Sequence, residues 1–289
     1  QSRSSAASDV YKRQTGDFMI DMANGLLGSK VGGAAKGAMV ASAGLGTIVG
    51  SSIGNVLATG TFTIPLMKRT GFEPHVAAAV ETNTSEGAQL VPPILGASAF
   101  IMAQLTGIPY EVIALAAVVP ASLYYLSLYS VVHIEALKHN ISGLPEEEIP
   151  SIKKTFTRGW HLLVAPISLF YLLLVGSYTV TFASLIAIFI AVFFGLLRKH
   201  TRFSVKELII FLSEGLSQSA RITALVISIG LIQAAIVATG LGPRLTDIIL
   251  DFSNGSLLMT ASLTVVAATV LGMGMPTPIT YLLLAMFAA

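Results

Sequence analysis

Small oxygen-bearing side chains interrupt a long apolar stretch near the start of this chain. Residues 50–55 read GSSIGN and supply the hydroxyls of Ser51 and Ser52 and the amide of Asn55. Glycine lets the backbone leave helical geometry, which frees carbonyl oxygens at the same place. These oxygens suit a hard cation such as Na⁺, and the free N–H groups at a half-helix N-terminus suit a carboxylate. One site here can therefore hold Na⁺ beside an anionic substrate without a buried Lys or Arg.

A second stretch of the same kind lies much later in the chain. Residues 271–280 read LGMGMPTPIT, again Gly-rich and hydroxyl-bearing within an apolar run. In the topology predicted from the apolar segments, it enters the membrane from the side opposite to the first stretch. Two broken segments of opposite orientation indicate an inverted repeat with the binding site at their interface.

Two glutamates allow two interpretations. Glu81 and Glu86 lie in the polar segment 81–89, which we predict to be an unwound break in a span. An ionisable side chain inside a membrane is costly and indicates a ligand or proton-coupling role. In a wet, unwound segment, both carboxylates would instead make structural hydrogen bonds or face water. The glycines of the first stretch also have two possible roles. Gly46, Gly50 and Gly54 either let the backbone leave helical geometry or allow close packing of helices through small residues.

The first stretch must sit at the tip of a re-entrant hairpin because of its length. Residues 36–69 are too long for one crossing of a bilayer core of about 30 Å, and too short for two crossings of about 20 residues each. Lys36 lies at one end and Lys68 and Arg69 at the other, which places both ends on the cytoplasmic side. Broken backbone at membrane depth is tolerated only inside protein or beside a wet site, which points to a transporter.

The composition indicates an all-α polytopic membrane protein. It is 54% hydrophobic and only 11% charged, against about 25% charge in soluble domains. Outside residues 1–14, the predicted topology puts every Lys and Arg on one side except Arg244, as the positive-inside rule requires. Without cysteine there is no disulfide or Cys-based metal site, and no basic cluster interleaved with aromatics indicates nucleic-acid binding.

The predicted units follow from these segments. Residues 1–14 resemble translated sequencing-adapter sequence, which predicts a non-native tail. The last apolar run has no polar stop, and this predicts that the chain is truncated at its C-terminus. In chain order the units are a non-native tail (1–14), a first repeat (15–137) with the inner hairpin (about 34–67) and a broken span (about 75–104), a cytoplasmic loop (138–158), a helical pair (159–203), and an incomplete second repeat (204–289) that starts the outer hairpin (about 257–289).

Several of these segments resemble one transporter family. Residues 50–69 are similar to the inner-hairpin signature of the large membrane subunit of tripartite ATP-independent periplasmic (TRAP) transporters. The similarity continues through residues 77–81 and 87–100, and residues 271–277 resemble the outer-hairpin signature. The branch that the chain resembles most has fused membrane subunits and a binding protein of the TAXI type.

The resemblance implies a fold, a mechanism and a set of site residues. It implies an elevator-type fold of the ion-transporter superfamily in the bacterial inner membrane, with no cofactor but Na⁺ as the coupling ion. The implied partners are a periplasmic solute-binding protein and a small membrane subunit or its fused equivalent, and the implied substrate is an organic acid. The Na⁺ ligands expected at the hairpin tips are Ser51, Ser52, Asn55, Gly272, Gly274, Pro276 and Thr277. The expected substrate contacts are Ser52, Asn55, Thr84, Ser85 and Thr277.

Functions of other classes make different demands on the sequence. A stand-alone Na⁺/anion symporter would use the same hairpins without a binding protein. An intramembrane enzyme needs paired Asp residues in facing spans, a His-Glu-x-x-His metal site or a Ser/His pair, and the sequence has none of these, so we expect no enzyme. A structural subunit would not need two broken polar hairpins.

Overall fold

The computed structural model describes residues 4–92, 95–176, 178–197, 204–240, 244, 251–253, 256–273 and 277–288. These residues form α-helices and two short 3₁₀ turns, Glu146–Glu148 and Trp160–Leu163, and no strand. The helices are α1 (Ser4–Leu27), α2 (Gly33–Val49), α3 (Ser52–Arg69), α4 (Pro74–Ala88), α5 (Ala97–Thr106), α6 (Tyr110–Lys138), α7 (Ile152–Gly159), α8 (Val164–Leu174), α9 (Val180–Leu197), α10 (Val205–Thr239), α11 (Leu257–Gly272) and α12 (Thr277–Ala288).

Helices α2 and α3 form an antiparallel helical hairpin. Gly50 ends α2 in the left-handed conformation (φ +63°), and its N–H donates to the carbonyl of Gly46 at 2.9 Å. Ser51 is extended and begins α3 by accepting a hydrogen bond from the N–H of Gly54 at 3.3 Å. Glycine tolerates the positive φ, and serine is a favoured helix N-cap. The GSSIGN motif therefore makes the turn through its first two residues, while Asn55 lies inside α3.

Helices α2, α3, α4 and α6 share one core. α2 packs against α1, α3 and α4, and α6 closes the group against α2 and α4. Small side chains dominate the buried part of α2, which allows close approach of neighbouring helices. The apolar centre of this group consists of Ala35, Ala38, Met39, Met67, Phe72, Ala77, Val80, Val132, Ala136 and Ile141.

A second core joins α5, α6, α8 and α9. α5 and α6 pack together, α6 contacts α8, and α8 and α9 form a pair. The buried residues of this core are Leu95, Ala99, Tyr110, Ile113, Ala114, Leu173 and Ala183. α12 packs against α5 and α11, so the late helices reach the first part of the chain.

Two stretches of the described chain are long and apolar enough to cross a membrane. They are Tyr110–Lys138 and Glu146–Leu174, each 29 residues long. Shorter apolar helices occur at Gly33–Val49, Ala97–Thr106, Thr181–Leu196 and Leu257–Val270.

The prediction that residues 81–89 are unwound was wrong. Residues 81–88 continue α4, and the interruption lies between Ala88 and Ala97. Three polar side chains in this segment donate to backbone carbonyls four residues earlier: Thr82 to Ala78, Asn83 to Ala79, and Thr84 to Val80. Because the helix itself accepts these hydrogen bonds, a polar sequence does not force it to unwind.

Candidate functional site

A polar cluster is buried where α2, α3 and α4 meet. Each of its six residues is at most 1% exposed. We call it the hydroxyl–carboxylate cluster, and it consists of Ser42, Asn55, Thr59, Thr63, Glu81 and Ser85.

Helical periodicity brings these side chains together. Asn55, Thr59 and Thr63 are spaced by four residues and therefore lie along one face of α3. Glu81 and Ser85 have the same spacing on α4. Ser42 projects from α2 between the two faces, since its hydroxyl contacts Asn55 and Thr59 of α3 as well as Glu81 and Ser85 of α4.

Hydroxyl groups surround the carboxylate of Glu81. Thr63 Oγ1 donates to Glu81 Oε2 at 2.6 Å, and Thr59 Oγ1 donates to Glu81 Oε1. Ser42 and Ser85 reach Oε1 at 3.1 and 3.3 Å. No Lys, Arg or His among the described residues forms an ion pair with this carboxylate. A buried charge is costly unless it is hydrogen-bonded or paired, so the four hydroxyls stabilise the carboxylate of Glu81 by hydrogen bonds.

Asn55 binds the cluster through its nitrogen and leaves its oxygen free. Nδ2 donates to the carbonyl of Ser42 at 2.9 Å, and it also lies 2.8 Å from Ser42 Oγ and 3.1 Å from Ser85 Oγ. Oδ1 is buried without a hydrogen-bond partner in the described part of the chain. A buried acceptor without a donor costs about 1–3 kcal/mol, so this oxygen is suited to a ligand.

Gly46 sets how closely α2 approaches the other two helices. A Cβ at this position would lie 2.2 Å from the Cβ of Ala88 and 3.0 Å from Asn55 Nδ2. The first distance is too short for a real methyl group, and the second is tighter than most Cβ contacts. At Gly46 the glycine therefore serves close packing, whereas at Gly50 it serves the turn.

The structure places the other predicted tip residues outside the cluster. Ser51 is exposed and caps α3, and Ser52 is half-buried in the first turn of α3. Thr84 is buried, but its hydroxyl donates to the carbonyl of Val80 at 2.7 Å. Of the expected substrate contacts, the cluster thus contains Asn55 and Ser85.

The second predicted tip lies close to the end of α4. Thr277 begins α12, and its Oγ1 accepts a hydrogen bond from Nε2 of Gln89 at 3.3 Å. Gly272 ends α11 and is exposed. Gly274 and Pro276 lie outside the described residues. The two breaks in the chain are therefore connected through the residue that follows α4.

Lys36 is buried rather than exposed at the end of the hairpin. It is 2% exposed, and its Nζ lies 2.9 Å from Nδ1 of His133 and 4.8 Å from the ring centroid of Tyr129. Lys68, at the same end of the hairpin, is exposed. From the sequence, Lys36 and Lys68 were both predicted to be charges that flank the hairpin. In the structure, His133 and Tyr129 of α6 enclose Lys36.

The comparison with protein families decides the identity. The family described as "Tripartite ATP-independent periplasmic transporter, DctM component" matches residues 8–289. The chain belongs to the DctM family. It is therefore a component of a TRAP transporter and an integral protein of the bacterial inner membrane, whose partners in that family are a periplasmic binding protein and a small membrane subunit. No curated protein matches the sequence.

Sequence reasoning about this DctM component missed part of the cluster. Ser42, Thr59 and Thr63 were not singled out, because single hydroxyls are common in apolar helices and bond to their own backbone. The signal was the four-residue spacing of Asn55, Thr59 and Thr63, followed on α4 by Glu81 and Ser85 at the same spacing. When two adjacent helices of an apolar chain each have a polar face, the pattern predicts that the two polar faces pack against each other.

Proposed function

We propose that this DctM component takes up an organic acid by Na⁺ symport, with the substrate delivered by a periplasmic solute-binding protein of the TAXI type. The membrane placement belongs to the same proposal: a multi-pass protein whose α2–α3 hairpin and α11–α12 segment are re-entrant, in inverted repeats of an elevator-type fold. The small membrane subunit is fused or separate.

One observation carries the proposal. The contact between Gln89 and Thr277 joins the end of α4 to the start of α12. α4 also carries Glu81 and Ser85 of the hydroxyl–carboxylate cluster. The same helix thus links the first hairpin to the second break, as expected for a site between two broken segments.

The oxygens near the first tip support a Na⁺ site. Asn55 Oδ1 is buried and has no hydrogen-bond partner among the residues that the structure describes, and the hydroxyls of Ser51 and Ser52 lie one turn earlier in the chain. At the second tip, Thr277 Oγ1 and the backbone of Gly272, Gly274 and Pro276 are the proposed ligands. Hydroxyl, amide and carbonyl oxygens at broken helices are the ligands that Na⁺ uses in transporters.

Two helix N-termini support a site for a carboxylate. α3 begins at Ser52, and α12 begins at Thr277. The N–H groups and the positive dipole end of a helix attract an anion. We assign substrate contacts to Ser52, Asn55, Ser85 and Thr277, with Thr84 beside them on α4.

Uptake into proteoliposomes tests the proposal. The assembled transporter, with its binding protein and a labelled organic acid, should accumulate substrate only when an inward Na⁺ gradient is imposed. Asn55→Ala should raise the Na⁺ concentration for half-maximal uptake several-fold, because each 1.4 kcal/mol lost from Na⁺ binding costs about tenfold in affinity.

Asn83→Ala is the matched control, since Asn83 is exposed on α4 and its side-chain amide donates to the carbonyl of Ala79 in its own helix. It should leave the Na⁺ response unchanged. Uptake that needs no Na⁺ would overturn the coupling. Equal uptake without the binding protein would instead favour a stand-alone symporter.

A further inference from the structure

Glu81 is a buried ionisable group that Na⁺ coupling at the hairpin tips does not use. It lies on α4 more than a turn from the end of that helix, and its partners come from α2, α3 and α4. A carboxyl group at such a position in a membrane protein is expected to have a function.

The hydrogen-bond geometry lets the cluster hold Glu81 with or without a proton. Without one, the carboxylate accepts from all four hydroxyls. Each of the two threonines also has a second acceptor: Thr59 Oγ1 lies 2.9 Å from the carbonyl of Asn55, and Thr63 Oγ1 lies 3.0 Å from the carbonyl of Thr59.

Protonation therefore needs only a hydroxyl rotation. When Glu81 takes up one proton, a threonine hydroxyl turns its hydrogen to the carbonyl four residues earlier. Its oxygen then accepts the new O–H of Glu81. No buried donor is left unpaired in either state, so protonation of Glu81 adds no unsatisfied donor to the cluster.

We propose that Glu81 is a proton-binding site whose charge is linked to the packing of the α2–α3 hairpin against α4. In the transport cycle, and this rests on the proposed function, Glu81 takes up one proton from water and later releases it, alongside Na⁺ at the tips. We assign the cation as a proton, because Thr63 Oγ1 lies 2.6 Å from Glu81 Oε2, a hydrogen-bonding distance that leaves no space for Na⁺ between these two oxygens.

Other titratable groups on the packed helices are already engaged or exposed. On α2, Lys36 lies against His133 of α6. On α6, the hydroxyls of Tyr124 and Tyr125 donate to the carbonyls of Asn83 and Thr84. The remaining titratable groups of α3 and α4 are exposed, namely Lys68 and Arg69 of α3 and His75 and Glu86 of α4, as is Glu73 just before α4.

Infrared spectroscopy tests proton binding without transport. The purified transporter in nanodiscs, at constant Na⁺, should show a protonated-carboxyl stretching band that grows and disappears as pH is cycled. Glu81→Gln should remove the band, and Glu86→Gln, an exposed glutamate of the same helix, should leave it unchanged. Thr63→Val, which keeps side-chain shape but removes a donor to Oε2, should move the band to higher wavenumber.

The outcomes separate the alternatives. If Glu81→Gln leaves every titrating band in place, or if wild type shows none, the proposal is overturned. A band that follows Na⁺ concentration at constant pH would also overturn it and assign the group to Na⁺. If Glu81→Gln does not fold, Thr63→Val still tests the assignment. A band that does not move in Thr63→Val would show that the titrating carboxyl group is not Glu81.

Transport gives the second readout. With the Na⁺ gradient fixed, an inward proton gradient of about one pH unit should raise accumulation, by up to about tenfold per coupled proton. Wild type and Glu86→Gln should show the stimulation, and Glu81→Gln should lose it while its uptake still responds to Na⁺. Absence of all uptake in wild type would refute the proposed function, while the infrared result would still decide the assignment of Glu81.

Discussion

Nε2 of Gln89 donates a hydrogen bond to Oγ1 of Thr277 at 3.3 Å, across 188 residues of sequence. Gln89 follows α4, and Thr277 begins α12. The contact therefore joins two places where apolar helices are interrupted. It makes the proximity of the two predicted halves of the site directly measurable.

The first prediction concerns this proximity. The chain has no cysteine, so Gln89→Cys with Thr277→Cys introduces the only two thiols. A short bismaleimide should cross-link them efficiently in membranes, as judged by an altered gel mobility. The control pair combines Gln89→Cys with Ser256→Cys, since Ser256 is exposed at the far end of the 16-residue helix α11. Equal cross-linking of the two pairs would contradict the contact between Gln89 and Thr277.

The second prediction concerns the close approach of α2 to α4. Gly46→Ala should lower thermal stability in detergent by about 1–3 kcal/mol, because the new methyl would overlap Ala88. Gly44→Ala is the matched control on the same helix, where the nearest atom is the sulfur of Met19 at 3.5 Å. Alanine there should be neutral or stabilise α2 by about 0.5–1 kcal/mol. Equal melting of the two variants would show that α2 does not pack as described.

The third prediction concerns Ser42. Ser42→Ala should cost about 1–3 kcal/mol of stability, because Glu81 loses a buried donor and Asn55 loses an acceptor. Ser122→Ala should change stability by less than about 0.5 kcal/mol, since Ser122 is exposed and its hydroxyl bonds to the carbonyl of Val118 in its own helix. Thermal unfolding of the two variants in the same detergent makes the comparison. A loss confined to Ser122→Ala would contradict the buried network.

The sequence predicted the features that depend on local chemistry. Gly50 and Ser51 mark the turn of the α2–α3 hairpin because one tolerates a positive φ and the other caps a helix. A broken span was expected at about 75–104, and within this range α4 ends at Ala88 and α5 begins at Ala97. Each of these features needs only a few adjacent residues.

Features that depend on packing between distant helices were harder to predict. Residues 81–88 were predicted to be unwound because they are polar. That prediction did not consider that backbone carbonyls of the same helix can accept the hydrogen bonds of their side chains. Glu81 was ambiguous because its four hydroxyl partners come from three helices. The composition of a segment does not reveal such partners, but the matched four-residue spacings on α3 and α4 do indicate them.

The last prediction concerns Lys36, whose burial is not apparent from the sequence. Nζ lies against His133 and over the ring of Tyr129, so α6 shields it from water. Reductive methylation of the folded transporter should therefore modify Lys30 and Lys68, both exposed, much faster than Lys36. Mass spectrometry of peptides over a time course measures the three rates, and in unfolded protein all three should be equal. His133→Ala and Tyr129→Ala should each speed the modification of Lys36 and leave that of Lys68 unchanged, because Lys36 packs against these two side chains and Lys68 is exposed. A Lys36 that reacts as fast as Lys68 in the folded protein would contradict the packing of α2 against α6.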